Sequence, residues 1–187
     1  MADDIRAKLR AMPSLTGTAP ALDEKALPND PVTLFLRWLD TAASARVPEP
    51  HAMTLSTVGA DGVPDARTLI LKDVDESGWA FAGTASSRKG TQLAASPSAA
   101  LSFWWQPLVR AVRMRGPVFE ATREESVADL RWRSAAAQAG VDPDDWTLWR
   151  VRPTRVEFWQ GSRDRRHRRI VYRHGDDGWS LTCSSSG

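Results

Sequence analysis

Short runs of alternating apolar and polar residues, each followed by a tight turn, occupy most of the chain from Met53 onward. Met53, Leu55 and Thr57 form the first run, and the turn sequence at 59–62 closes it. Further strands are predicted at 65–71, 79–83, 99–105, 109–120 and 148–151, followed by a hairpin over 155–172. Because helical patterns fall only at the margins, the sequence predicts a mainly β fold with flanking helices (α+β), built on a small barrel.

Three helices are predicted around these strands. Asp30 and Pro31 form a helix start, with the aspartate as N-cap and the proline at the first helical position. A serine N-cap opens a second helix over 86–95, and Thr122 with Glu125 forms a capping box before a helix that reaches about residue 133. Residues 135–145 are predicted as a loop. We expect residues 1–29 to form an N-terminal arm with a short helix over 4–11, and residues 30–187 to form one domain.

The composition excludes several classes of function. The chain has 25 lysine and arginine residues against 23 aspartate and glutamate residues, and the resulting net charge of +2 argues against a general nucleic-acid binder. The single cysteine, Cys183, excludes a disulfide framework, and three scattered histidines form no metal-ligand pattern. The sequence predicts no bound metal. An acidic N-terminus and the lack of a long apolar run predict a cytoplasmic protein without a membrane span.

The predicted hairpin over 155–172 carries a cationic loop. An apolar strand that includes Trp159 leads into Gln160-Gly161, and five arginines and His167 follow before the strand pattern resumes. Charge alone leaves two interpretations open, a solvated turn or a patch that binds a polyanion. Four other tryptophans are interpreted as core or interface residues: Trp132, Trp146, Trp149 and Trp179.

Two other stretches place cations where a ligand could bind. Arg67 and Lys72 lie at the two ends of one predicted strand; five positions apart, they should point to opposite faces and could serve two ends of an elongated ligand. Arg88 and Lys89 stand at a predicted helix start, where free backbone N–H groups and the helix dipole favour a phosphate. Together the two stretches suggest a phosphorylated cofactor.

These motifs resemble the pyridoxamine 5'-phosphate oxidase family. The resemblance covers most of residues 28–173. It rests on the following stretches: Arg67–Lys72, Ser87-Arg-Lys-Gly90, Trp105 with Pro107 and Arg110, Glu157-Phe-Trp-Gln-Gly161, and Arg165-x-His167-x-Arg169. It implies an FMN-binding split β-barrel that forms a homodimer, with FMN at the interface between the two subunits.

The resemblance also implies roles for individual residues. The FMN phosphate would be bound by Arg67, Arg88 and Lys89, while the strand from Thr68 through Leu69, Ile70 and Leu71 to Lys72 would run along the flavin. Trp159 and Arg169 would contact the flavin from the hairpin. Lys72 would face the substrate phosphate, and Arg165 and His167 would act as catalytic residues over the pyridine and its reacting carbon. Family members oxidise pyridoxamine or pyridoxine 5'-phosphate to pyridoxal 5'-phosphate with O2 and release H2O2.

The chain also departs from the family pattern. Ala82-Gly83 stands where the family usually has Tyr-Thr, and Ala111 replaces a glutamine near the flavin. The family's Tyr, Ser-Arg-Pro and Gln-Ser, which hold the substrate phosphate and FMN, are absent from the short stretch between 130 and 146. Arg131 or Arg133 could replace the missing arginine. Two explanations are open: a segment is missing from the sequence, or the substrate pocket is remodelled. A remodelled pocket would belong to an FMN oxidase of another substrate, such as a phenazine-type intermediate. A flavin binder without turnover is a further alternative.

Overall fold

Ten strands join into one sheet in residues 2–186, the part of the chain that this computed structural model describes, with side chains described for residues 4–185. The strands are β1 (Ala52–Val58), β2 (Pro64–Ile70), β3 (Asp73–Asp75), β4 (Gly78–Thr84), β5 (Ser98–Trp105), β6 (Arg110–Glu120), β7 (Trp146–Val151), β8 (Arg155–Gln160), β9 (His167–Gly175) and β10 (Gly178–Ser186). The helices are α1 (Ala2–Ala11), α2 (Pro31–Ser44), α3 (Arg88–Ala95), α4 (Arg123–Trp132) and α5 (Ala135–Gln138).

The long strand β6 divides the sheet into a barrel and a wing. Its first half, Arg110–Arg115, pairs with both β5 and β8, whereas Val118–Glu120 pairs with β7. Around the barrel, β6 pairs with β7, β7 with β4, and β4 with β3. β3 follows β2 directly in the chain, and β2 pairs with β1, which pairs with β5 and so returns to β6. The wing consists of β8, β9 and β10, which extend from β6 on its other side. This arrangement confirms the predicted mainly β fold and its split barrel.

Helix α2 contributes aromatic side chains to the core, which the barrel and the wing share. Its buried face places Phe35 between Trp79 and Phe103, at ring-centroid distances of 5.7 and 5.0 Å, and Trp38 packs edge-on against Phe158 at 5.2 Å. Such aromatic contacts add to the burial of apolar area. The helix begins as predicted, because the Asp30 side chain accepts a hydrogen bond from the Thr33 N–H at 2.7 Å.

Removal of this cap should destabilise the protein modestly. The Asp30→Ala substitution leaves an N–H of the first turn without its partner, which costs about 1 kcal/mol. Chemical denaturation should show this loss of unfolding free energy, whereas Asp40→Ala on the exposed face of the same helix should change it much less. Equal losses in the two variants would show that the capping hydrogen bond contributes nothing to stability.

The predicted elements are present with shifted ends, and a few elements were not predicted. β2 ends at Ile70, one residue early, since Lys72 N–H already donates to Ala80 O on β4. The loop predicted over 135–145 contains the short helix α5, so that prediction was wrong in part. Neither β3 nor β10 was predicted. β10 is rich in serine, and its pairing with β9 rather than an apolar alternation makes it a strand.

The N-terminal segment lies along the barrel and the wing. Thr18 N–H donates to Pro107 O, Gln160 Nε2 donates to Pro20 O, and Tyr172 OH donates to Pro28 O. The division into an arm and a domain at residue 30 stays a prediction. Across residues 2–186, no helix combines the length and the apolar character that crossing a membrane would require; the cytoplasmic location stays a prediction.

Candidate active site

A cation cluster lies where β2 meets the start of α3. The register of β2 against β1 places Arg67 opposite Leu55, on the inner face of the sheet that carries the barrel core. Arg67 donates from Nη1 to Thr57 Oγ1 and from Nη2 to Gln92 Oε1 at 2.9 Å. Because Thr57 and Gln92 are buried, these two hydrogen bonds fix the guanidinium in one orientation.

Helix α3 adds two cations to this cluster. Ser87 is its N-cap, and the Ser87 hydroxyl also accepts a hydrogen bond from Lys89 Nζ at 2.9 Å. Arg88 and Arg67 share one carboxylate, Asp65, at 2.7 and 3.1 Å. The Arg88 side chain is 81% exposed, whereas Arg67 is largely buried, so Arg67 is the better fixed of the two.

The electrostatics of the cluster favour an anion. Burial lowers the pKa of Lys89 below its usual value, and the nearby charge of Arg67 lowers it further, with a smaller opposing effect from Asp145. Among the described residues, Arg67 and Arg88 form ion pairs with one carboxylate, Asp65, and Lys89 forms none, next to the free N–H groups of a helix start. This is an arrangement that binds phosphate. Gly83 leaves room for the Lys89 amine, since a methyl group at this position would collide with Nζ.

The sheet register places two predicted flavin residues, Trp159 and Arg169, on the outer face, which also carries Trp104 and Ala111. Trp159 lies opposite Ala111 on β6 and opposite Arg169 on β9. Trp159 and Arg169 line one cavity of about 310 Å³ together with Ser102, Ala111, Arg113 and Glu157. The structure thus brings together the two hairpin residues that the resemblance assigns to the flavin ring.

Glu157 organises the arginines around this cavity. Its carboxylate is only 2% exposed and lies 2.7 Å from Arg113, 2.5 Å from Arg155 and 3.4 Å from Arg169. Two of these arginines, Arg113 and Arg155, had no role predicted from the sequence. One carboxylate among three arginines leaves an excess of positive charge beside Trp159.

The loop between β8 and β9 brings His167, but not Arg165, to the tryptophan. The His167 ring lies 5.1 Å from Trp159, and its Nδ1 accepts a hydrogen bond from Ser162 N–H at 3.1 Å. Arg165 is exposed and adopts a left-handed backbone conformation with φ 67°. Trp104 also lies near Trp159, with ring centroids 6.1 Å apart, and is 52% exposed; the sequence did not predict this neighbour.

The end of β8 is tied to the barrel by a buried arginine. Arg110 donates from Nε to Gln160 Oε1 at 2.8 Å, and its guanidinium lies 4.0 Å from the centroid of the Trp38 ring. Burial lowers the pKa of Arg110 to about 10. Because Gln160 also donates to Pro20 O, one side chain connects the core, the hairpin and the N-terminal segment.

Lys72 lies in a cavity away from the cation cluster. This cavity of about 390 Å³ is lined by Ile70, Leu71, Lys72, Asp129, Trp132 and Arg133. Of the two arginines that the sequence left open, Arg133 lines the cavity; Arg131 is not among the lining residues. Arg67 lies within β2, whereas Lys72 follows the end of this strand at Ile70, and its N–H already donates to Ala80 O of β4. The expectation that the two side chains point to opposite faces stays a prediction.

Two segments of the chain match families of known proteins. Residues 39–160 match the family described as pyridoxamine 5'-phosphate oxidase, and residues 146–183 match the pyridoxine 5'-phosphate oxidase C-terminal dimerisation region. A curated protein of Thermosynechococcus vestitus named pyridoxine/pyridoxamine 5'-phosphate oxidase is 41% identical over 181 positions, covering 80% of this chain and 86% of its own length. The protein of the same name from Cupriavidus pinatubonensis is 38% identical over 193 positions, covering 86% and 91%.

These matches include positions that this chain lacks. The 181 aligned positions of the T. vestitus protein take in 80% of the 187 residues here, so about 30 of them have no counterpart in this chain. That difference is consistent with the short connection between Arg133 and Trp146.

Solved structures share the fold. PhzG from Burkholderia lata, in complex with tetrahydrophenazine-1-carboxylic acid, aligns with a TM-score of 0.83 and 27% identity over 91% of this chain and 100% of its own. A pyridoxamine 5'-phosphate oxidase-related, FMN-binding protein from Nostoc punctiforme aligns with a TM-score of 0.68 and 18% identity, over 86% of this chain and 100% of its own, which supports the fold alone.

Proposed function

The chain belongs to the pyridoxamine 5'-phosphate oxidase family, and we propose that it is an FMN-dependent oxidase that converts pyridoxamine or pyridoxine 5'-phosphate to pyridoxal 5'-phosphate. O2 is the electron acceptor and is reduced to H2O2; with pyridoxamine 5'-phosphate the reaction also consumes water and releases ammonia. The reaction would contribute to pyridoxal phosphate biosynthesis.

One observation carries the FMN assignment, the cation cluster of Arg67, Arg88 and Lys89. The residues fit a flavin phosphate for three reasons. Buried partners fix Arg67, and the start of α3 offers free N–H groups. Burial destabilises the charged form of Lys89, which a bound anion would stabilise. Arg67 and Lys89 would make the stronger contacts, and the exposed Arg88 a weaker one. The strand 68–72 would run along the flavin.

The remaining site residues would orient the reactants. Bound FMN would supply the two-electron acceptor that oxidises the substrate and passes the electrons to O2. Trp159 would pack on the ring system, and Arg169 would provide a fixed positive charge beside it. His167, held by Ser162, would carry its proton on Nε2 when neutral and would donate toward the substrate. Arg165, also proposed to act over the substrate, is exposed in this loop and would have to turn inward to do so.

The geometry supports a site shared between two copies of the chain. Arg67 lies on the inner face of the sheet and Trp159 on the outer face, and β2 and β8 are four strand spacings apart, about 19 Å along the sheet. One chain therefore presents the two halves on different faces. We propose a homodimer with FMN at the interface, in which one subunit binds the phosphate and its partner contacts the ring.

FMN affinity should begin to fall at a lower pH than it would if Lys89 had the pKa of an ordinary lysine. The pKa of Lys89 lies below 10.5 in the flavin-free protein, and a bound phosphate stabilises the charged amine and raises this pKa. Affinity is therefore full below the flavin-free pKa and falls as pH rises through it, on the order of tenfold. FMN titrations from neutral pH upward should show this fall, and Lys89→Arg should remove it. A profile that is flat in the unsubstituted protein, or identical in the variant, would contradict the assignment.

A second candidate function is oxidation of a different substrate by the same flavin site. The observation that favours it is the similarity to PhzG over the whole length of that chain, together with the altered stretch between 130 and 146. Under this alternative, the FMN site is retained while a substrate without a phosphate, such as an aromatic carboxylic acid, occupies the pocket. A flavin binder without turnover is the third possibility, and it gives no reason for His167 to lie beside Trp159.

Turnover with pyridoxamine 5'-phosphate tests the proposal. The FMN-loaded protein in aerated buffer should form pyridoxal 5'-phosphate and H2O2 in equal amounts. If the flavin-loaded protein turns over an aromatic carboxylic acid but no B6 phosphate, the second candidate is correct. If the protein binds no FMN, the flavin assignment is wrong.

A further inference from the structure

Asp129 places a fixed negative charge in the cavity that contains Lys72 and Arg133. Its side chain is 12% exposed, and its Oδ2 accepts a hydrogen bond from the indole Nε1 of Trp146 at 3.0 Å. Its Oδ1 lies 4.0 Å from Lys72 Nζ, which is too long for a hydrogen bond. Trp146 therefore holds the carboxylate in place, while Lys72 keeps its donors for a ligand.

The other side chains around the cavity are a second cation and an exposed aromatic ring. Arg133 lies over the ring of Trp146 at 4.4 Å, which positions its guanidinium beside the cavity. Trp132 is 90% exposed and offers an open aromatic face. The cavity thus combines two cations, one carboxylate and an indole, and its net charge is one positive unit instead of two.

We propose that Asp129 is a specificity-determining residue that weakens the preference of the site for a phosphorylated substrate. This inference rests on the proposed function, in which Lys72 faces the substrate phosphate. A phosphate dianion bound by Lys72 and Arg133 lies close to the Asp129 carboxylate, and like charges repel in a partly buried site. A substrate with one negative charge or none loses less, so the carboxylate reduces the advantage of a phosphorylated substrate over such substrates.

The Asp129→Asn substitution tests this inference without removing the contact to Trp146. The asparagine Oδ1 can still accept the indole hydrogen bond, but the negative charge is lost. We expect the ratio of kcat/KM for pyridoxamine 5'-phosphate to kcat/KM for pyridoxamine to rise roughly three- to tenfold. The change should come from a lower KM for the phosphorylated substrate. Asp40→Asn, which removes one charge from the exposed face of α2, is the matched control and should leave the ratio unchanged.

A binding measurement separates this inference from the proposed function. Titration with pyridoxal 5'-phosphate should show tighter binding to the Asp129→Asn protein than to the unsubstituted protein, even if neither protein turns over. A ratio or an affinity that is unchanged, or that falls, would overturn the inference, because Asp129 would then not face the phosphate or would mainly hold Lys72. Failure of turnover in the unsubstituted protein, with tighter ligand binding in the variant, would count against the proposed function alone.

Discussion

Co-expression of an Arg67→Ala chain with an Arg169→Ala chain should restore FMN to about a quarter of the flavin sites, although each variant alone should lose it. Removal of a hydrogen bond from a charged group to a phosphate or a ring costs about 1.5–3 kcal/mol, or one to two orders of magnitude in affinity. The expectation follows from the two faces of the sheet. Random pairing makes about half of the dimers mixed. In a mixed dimer, one site carries both substitutions and the other carries neither, so about one site in four is intact.

Differently tagged chains allow this prediction to be measured directly. FMN per mixed dimer would be determined at a flavin concentration at which both single variants stay empty. Co-expression of Arg67→Ala with Lys89→Ala is the matched control, since both changes lie in the same half of the site and no mixed dimer regains an intact one. If the control recovers as much FMN as the test pair, or if the test pair recovers none, the flavin site is not shared as proposed.

The His167→Ala substitution should lower kcat about 100-fold and leave FMN bound. His167 contacts Trp159 and has its Nδ1 engaged by Ser162, so its other nitrogen is the one available to a substrate. Arg169→Ala should show the opposite pattern, with weaker FMN binding as its first effect, because Arg169 lines the cavity beside Trp159. Flavin absorbance after gel filtration, together with kcat at saturating FMN, separates the two effects.

Arg163→Ala is a suitable control for the loop itself. Arg163 is exposed in the same turn, and its substitution should change neither FMN content nor kcat. Equal loss of flavin in His167→Ala and Arg169→Ala would show that the two residues do not divide the roles in this way.

The sequence predicted the helix starts that are capped by residues close to them in the chain. The Asp30 N-cap and the Thr122–Glu125 capping box are present, because each involves side chains within three positions of the backbone they cap. β10 was missed because its serine-rich sequence becomes a strand only through the neighbouring β9. Trp132, interpreted as a core or interface residue, is exposed in the single chain, so the core interpretation was wrong and the interface interpretation stays a prediction.

The candidate site was predictable only in part for the same reason. Arg67 and Lys89 stand in recognisable local motifs, but the partners that fix Arg67 come from other elements, Thr57 on β1 and Gln92 on α3. Asp129 reaches Lys72 from a helix more than fifty positions away. The sequence also could not reveal that Arg67 and Trp159 occupy different faces, since that depends on the order of strands across the sheet.

Anaerobic reduction of the bound flavin by pyridoxamine 5'-phosphate tests the central claim most directly. The FMN-loaded protein is mixed with the substrate in the absence of O2, and the visible flavin absorbance is followed. We expect the band to bleach and to return when O2 is admitted, with one pyridoxal 5'-phosphate formed per flavin reduced. A flavin band that persists at saturating pyridoxamine and pyridoxine 5'-phosphates would contradict the proposed oxidase function.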